Sequence, residues 1–381
     1  MMRLLLVALV ALATVIPAAA DAQNSVYAVH GIGFLGRPIG TRSRATGGGL
    51  AAFDPRAALN PAAAAGFRSV SVTGSIGTTM RSYTALGASA SGLNETRVPF
   101  GQLAGWVRGT PVSFSITYYP YAERSYNLVT TDTISIRGGD SVEVSDQISS
   151  DGAVANVGGA LAFRISSRLN VGAALHIITG SAAAAALRTF TSDDYMLAAE
   201  RIKLGFNGLG FSVGAVAALH PRLILAAAFR SDTRLETIAD SVSVSRIQLP
   251  VTASAGIRLI PHRAVHWATT VVYQWWSDAV SDLAALGAAT AFDTWEVSSG
   301  FEIGGAAVGS PIPVRLGFRY AQLPFSPTDD QPREIDVSLG SGVDFASDRA
   351  AIEFSVERIF REGAGADERA WYLTLSVTLR P

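Results

Sequence analysis

The sequence predicts an all-β protein: a transmembrane antiparallel β-barrel of about 14 strands. Three observations predict it. They are an export signal at the start, a charge-poor chain without a spanning helix, and short segments whose apolar residues recur at every second position.

The signal covers residues 1–22. Arg3, an apolar run from Leu4 to Pro17 and small residues before a cut after Ala20-Asp21-Ala22 supply the charged, apolar and cleavage regions of an exported precursor. The mature chain is therefore expected to begin near Gln23. Of 30 basic residues, removing Arg3 leaves 29 against 31 acidic ones, so no basic excess points to nucleic acid. There is no cysteine, so stability outside the cytoplasm must come from a core or from the surrounding medium.

The chain is 49% hydrophobic and only 16% charged, whereas a soluble domain carries about 25% charge. Beyond the signal, however, no run reaches the roughly 18 apolar residues of a spanning helix. The best run, residues 211–229, is broken by His220-Pro221-Arg222.

Alternation accounts for the missing charge. Trp371, Leu373, Leu375, Val377 and Leu379 share one face of a strand whose other face carries Tyr372, Thr374, Ser376, Thr378 and Arg380. The pattern recurs in Val112, Phe114, Ile116 and Tyr118, in Val314, Leu316, Phe318 and Tyr320, and in Ile352, Phe354 and Val356. It predicts fourteen strands, over 67–80, 95–109, 111–123, 151–166, 169–180, 202–219, 222–236, 246–260, 263–276, 291–303, 313–323, 333–345, 349–361 and 369–380. Connections after even strands are mostly tight and those after odd strands longer, the arrangement of short periplasmic turns and long outer loops. A soluble β-sandwich or propeller would need a second layer over the apolar face. Trp267, Tyr273 and Trp275 lie on one face near the ends of one strand, where interfacial girdles sit.

Before the first strand stand Arg44-Ala45, Gly47, Gly49, Asp54 and Asn60-Pro61-Ala62. This stretch resembles the FadL-type outer-membrane transporters of long-chain fatty acids and hydrophobic compounds, in which the segment is a small hatch inside a fourteen-stranded barrel. The resemblance implies a hatch over 23–66, beginning in the periplasm, and a barrel over 67–381. The residues suit a plug: glycines allow close backbone packing, Ala57 to Ala65 can form thin helix, and Pro61 fits N1 behind an Asn60 cap. A disordered leader is the alternative reading. A phosphate loop is dismissed because no Gly-Lys-Ser/Thr follows the glycines.

The inward faces of the later strands carry Glu296, Glu302, Arg315, Arg319, Glu334 and Asp336, and antiparallel pairing sets Glu302 opposite Arg315 and Arg319 near Asp336. The expectation is an acid-base ladder, either a rigid network or a seat for a substrate carboxylate. No Ser/His/acid spacing or metal-like cluster appears, so neither an enzyme nor a cofactor is expected.

The resemblance implies uptake of a hydrophobic small molecule, with capture by outer loops, a lumenal pocket above the hatch and sideways release into lipid. Two segments are expected as capture helices: one behind Ser192 with Tyr195, Met196 and Leu197, the other behind Ser277 with Val280, Leu283 and Leu286. Pro120 in the third strand lacks an N–H for the ladder and is the candidate exit, with Tyr119 lumenal and Tyr118 toward lipid; the alternative is that it ends the membrane part of the strand before the outer hairpin at 124–150. Expected partners are the ligand, outer-membrane lipid and the barrel-assembly machinery during biogenesis, for a monomer in a Gram-negative-type outer membrane. A barrel resembling PorV-type proteins and acting in protein secretion, or a purely structural barrel, are the alternatives.

Overall fold

The computed structural model describes residues 25–85, 88–135, 141–192, 194–284, 290–304 and 312–381. The expected signal over 1–22 and Leu286 lie outside these. Fourteen strands close into one antiparallel barrel. They are β1 (Ser71–Ala85), β2 (Ala88–Arg97 and Gly101–Trp106), β3 (Val112–Glu123 and Tyr126–Ser135), β4 (Ser141–Arg164), β5 (Leu169–Phe190), β6 (Ala198–His220) and β7 (Leu223–Asp232 and Arg234–Ala239). The remainder are β8 (Val242–Gln248 and Val251–His262), β9 (Val265–Trp275), β10 (Thr294–Ile303), β11 (Val314–Gln322), β12 (Arg333–Phe345), β13 (Ala350–Gly363) and β14 (Ala366–Leu379). Closure runs between β1 and β14, from Val72 opposite Leu379 to Ala85 opposite Ala366.

The barrel is inside-out. On β14, Trp371, Leu373 and Leu375 are exposed outward while Thr374, Ser376 and Thr378 are buried inward, which is what a hydrocarbon exterior and a polar lumen demand. Tyr273, Trp275 and Trp295 cluster outside near one rim, with ring centroids 4.5 and 4.6 Å apart, and Trp267 stacks on Phe301 nearer the other.

The strands outrun the expected loops. Residues expected as loops over 81–94, 124–150, 181–201 and 237–245 are largely strand, and β4, β5 and β6 reach 24, 22 and 23 residues. A membrane crossing takes about 9–11 residues, so these hairpins project well beyond it. Segments such as Thr130-Thr131-Asp132-Thr133 lack an apolar face, yet β-branched residues that pair with a neighbour need none. A second departure is in β2, expected as one run over 95–109; it begins at Ala88 and is interrupted at Val98-Pro99-Phe100.

Residues 25–66 lie inside the wall, and their path corrects the expectation that they begin at the short-turn end. Tyr27 donates its hydroxyl to the Ala366 carbonyl at 2.6 Å, at the β13/β14 hairpin, and Ser25 bonds Glu368 at 2.7 Å. The chain then descends: Phe34–Leu35 pairs with β3, a short helix spans Thr41–Arg44, and the 3-10 turn Pro61–Gly66 packs on β4, β5 and β6 before β1. Close approach explains the glycines. A Cβ on Gly317 of β11 would stand 2.0 Å from the Gly47 nitrogen, and Gly47 itself has φ +66°. Replacing Gly317 by Val should therefore displace the hatch while sparing the barrel. The expected result is retained heat-modifiable gel mobility with faster tryptic cleavage at Arg42, Arg44 and Arg56; unchanged cleavage would refute the close fit.

Candidate functional site

The hatch is held by its arginines. Arg42 makes a two-pronged bond to Glu302 (2.8 and 2.6 Å), Arg56 meets Glu353 at 2.7 Å, and Arg44 reaches Glu357 at 3.4 Å and stacks 4.9 Å from the Tyr372 ring centre. Charges taken out of water cost free energy unless paired, and guanidinium forks suit carboxylates. Asp54 accepts from Ser43 at 2.8 Å and from the Arg56 backbone at 3.1 Å. Burial alone would raise its pKa; Arg42 and Arg56 more than offset that and hold it below the ordinary value. Asn60 caps the 3-10 turn, accepting from the Ala62 N–H at 3.0 Å with Pro61 in the first turn. Its amide donates to the Ala52 and Ala215 carbonyls, tying hatch to β6. Gly49 is fixed by Thr270, which donates to its carbonyl at 2.9 Å.

The wall carboxylates and arginines form a belt longer than the six residues of the expected ladder. Glu302 faces Arg315 at 2.7 Å, and Arg315 continues to Glu353 at 3.2 Å. A second series passes from strand to strand: Glu296 to Arg319 (2.8 Å), then Glu334, Arg361 and Glu368, then Arg81 (3.9 Å), Glu95 (3.1 Å), Arg97 and finally Glu123 (3.4 Å). It spans β10 to β14 and continues through β1 and β2 to β3. Asp336 is Arg319's register partner, but Arg319 bonds Glu334 and Glu296 instead. The hatch residue Arg37 meets Asp336 at 3.6 Å.

Above the hatch lies a cavity of about 240 Å³. Phe34, Leu35, Pro38, Ile39 and Leu59 contribute to its floor, the belt lines one side, and Tyr119, Tyr121 and Arg230 line another. Trp276 and Phe325 stand over it and join an apolar cluster with Ile178, Phe206, Leu235, Ile247 and Leu283.

That cluster corrects the expected capture loops. Val280–Ala284 is helical, but Trp276 precedes its 3-10 first turn and Ser277 makes no cap. Leu283 is buried, 1% exposed, beneath the helix, while Val280 faces out. Tyr195, Met196 and Leu197 form no helix; they lie in the short link between β5 and β6, where strand pairing reaches Arg188 opposite Ala198. Met196 is 90% exposed, and Tyr195 packs on Phe190 with centroids 5.4 Å apart. The two segments belong to separate hairpins.

The wall itself has a seam. The β2–β3 ladder runs from Trp106 opposite Ser113 to Gly101 opposite Tyr118, and among the described residues no ladder joins 88–97 to the rest of β3. Continuing the register beyond Gly101 and Tyr118 sets Pro99 opposite Pro120, and neither can donate an N–H. Pro99 is the residue that sequence reasoning missed. On the far side of β3 the ladder with β4 continues past Pro120 with a bulge at Tyr121. Tyr119 turns inward and bonds Arg230, while Tyr118 faces out. The hatch strand Phe34–Leu35 occupies β3's open edge opposite Glu123 and Ala122, and Gly36 donates to the Tyr121 carbonyl at 3.0 Å. Arg97 of β2 spans the gap to Ser125 (3.0 Å) and Glu123. Pro99 and Pro120 both line the cavity.

Breaking the belt is expected to be costly. Replacing Arg361 by Met takes one cationic partner from each of Glu334 and Glu368, leaving Arg319 on the first and Arg81 on the second, an expected loss of about 3 kcal/mol, read as an earlier urea midpoint, and Lys should recover only part. An unshifted midpoint would show that the belt carries no stability.

Solved structures share this fold at low identity. A Pseudomonas aeruginosa FadL homologue superposes with a TM-score of 0.62 at 13% identity, over 91% of this chain and 99% of that one. The Ralstonia pickettii toluene transporter TbuX gives 0.60 at 14%, over 90% and 98%. The P. putida toluene transporter TodX gives 0.58 at 14%, over 91% and 99%. No curated protein matches the sequence. The BamG family model matches residues 1–222, more than half of the chain, so this FadL-like barrel belongs to the BamG family.

Proposed function

We propose that the protein is an outer-membrane channel for hydrophobic small molecules. Its signal over 1–22 is removed on export, residues 23–66 act as the hatch, and the 67–381 barrel releases its cargo sideways into the membrane. The observation that carries this reading is the seam at Pro99 and Pro120 opening off a cavity with an apolar roof. An apolar molecule leaving there avoids both water and the charged belt. The structural neighbours titled toluene transporters support the class of cargo, and long-chain fatty acids remain within it. Arg319, Arg315 and their carboxylates serve as the rigid wall; Tyr118, Tyr119 and Pro120 border the exit. Met196, Leu197 and Val280 are the exposed apolar residues of the expected capture segments, and they act singly.

A second reading is a protein-assembly or secretion partner, favoured by the BamG match and by the β3 segment Tyr126–Ser135, which pairs with β4 on one side only among the described residues. An open strand edge is a template for another strand.

The chain has no cysteine to interfere with a tether across the seam. Val98→Cys with Tyr118→Cys, both on the outward face and joined by a short bismaleimide, is expected to abolish toluene and fatty-acid uptake that the unlinked variant retains. Full uptake after complete linkage rules out release at this seam. Deleting residues 24–58 is expected to leave a folded barrel, since its wall hydrogen bonds close on themselves, that leaks small hydrophilic solutes in liposome swelling. Equal permeability before and after deletion would show that the hatch does not gate.

A further inference from the structure

Charge is sorted between the two rims. Each of the five short turns that are fully described carries an exposed arginine: Arg108, Arg168, Arg222, Arg263 and Arg349. Among the described residues none of the five is in an ion pair, whereas the arginines of the lumenal belt are paired. The same turns hold a single carboxylate, Asp348. The opposite rim carries aspartates in its links, Asp194, Asp240, Asp278, Asp282, Asp329 and Asp330 among them, and no described Lys or Arg in the links themselves. The links at the two ends therefore differ in charge, although the strand ends at the opposite rim carry Arg188, Arg201, Lys203, Arg246 and Arg333.

The arginines also have apolar company. Val107 adjoins Arg108, Ile165 precedes Arg168, Leu219 precedes Arg222 and Phe345 precedes Arg349, all four exposed. A cation one step beyond lipid-facing carbon is placed where acyl chains give way to headgroups. The fork of a guanidinium matches the paired oxygens of a phosphodiester. The five turns follow β2, β4, β6, β8 and β12, and the connection between β10 and β11 carries no cation, so the cations stand around most of the barrel, which fits a surrounding leaflet better than a protein covering one sector.

We infer that the short-turn rim is a binding surface for anionic phospholipid headgroups, the phosphodiesters of the leaflet that surrounds it, with the five arginines as its contacts. The surface gathers a shell of anionic lipid around the barrel. This is independent of what the lumen carries.

The protein in vesicles of phosphatidylethanolamine and phosphatidylglycerol in equal amounts would be released and its retained lipids identified by native mass spectrometry. Retained lipid is expected to be enriched in phosphatidylglycerol, roughly fivefold for each arginine-held molecule, and enrichment should fall as salt rises. The variant R108Q/R168Q/R222Q/R263Q/R349Q should bring the ratio to parity while keeping heat-modifiable mobility, and single variants should each lower it in part, which keeps the test valid if the fivefold variant misfolds. Inorganic phosphate should not compete at concentrations that leave the vesicles intact. Enrichment that survives in the variants overturns the proposal, as does parity in the unaltered protein. Parity together with salt-sensitive binding of polyglutamate would assign the rim to an acidic protein instead.

Discussion

A lumen bounded by fourteen strands is too wide for the wall's own side chains to fill, and most of the structure follows from how that space is occupied. Residues 25–66 enter it as a chain rich in glycine and alanine. They need room, which Gly300, Gly317 and Gly340 supply from β10, β11 and β12, and they need charge partners, which Glu302, Glu353 and Glu357 supply. Hatch and wall specify each other, because a lone buried charge on either side is costly. A barrel with these carboxylates but without Arg42, Arg44 and Arg56 would have to admit water to satisfy them.

The interior is divided by chemistry. From β10 to β14, and through β1 and β2, the inward positions at cavity level alternate Glu and Arg. From β4 to β8 they hold Val154, Ile178, Phe206, Leu235 and Ile247, roofed by Trp276, Leu283 and Phe325. An ion belt excludes apolar molecules from one side by the desolvation it would require, and the apolar side accepts them. The cavity between them is thus polarised across its width. Arg230 sits at the border and is neutralised by Asp232 at 2.9 Å, with Tyr119 and Asn156 taking its remaining donors.

Much of this is readable in the sequence where the period-two pattern is strong. Trp371 to Leu379 declare a two-faced strand, Asn60-Pro61 declares a cap, and the connection after Ile303 sets Glu302 opposite Arg315. The remainder is hidden for physical reasons. Residues 88–94, Ala-Ser-Ala-Ser-Gly-Leu-Asn, are small and polar and read as loop, so β2 is taken to start late at 95, and Pro99 is taken for an ordinary strand residue. Its position opposite Pro120 depends on a register that no single strand reveals. Met196 and Leu197 show helical spacing over too few residues, and the long β5–β6 pairing overrides it. Leu283 reads as a surface anchor because the roof it completes comes from elements remote in sequence.

The seam and the hatch are not separate devices. The edge of β3 that Pro99 leaves open is taken up by Phe34–Leu35, and Gly36 lies so close that a Cβ there would stand 1.8 Å from the Pro120 carbonyl oxygen. Widening the seam at Pro120 therefore requires the hatch strand to give up its bonds to Tyr121, Ala122 and Glu123. Those bonds are few: the hatch strand has two residues, and short strands contribute little stability alone. Below it, Arg37, Arg42, Arg44 and Arg56 anchor the rest of the hatch to five carboxylates of the barrel wall. The contrast gives the segment a loosely held upper part at the seam, Phe34–Leu35, tethered above by Ser25 and Tyr27 at the β13/β14 hairpin, and a firmly held lower part at the short-turn end. Under lateral release, the upper part can yield while the lower part keeps the lumen closed to water, so that one segment admits cargo to the membrane without opening a pore through it.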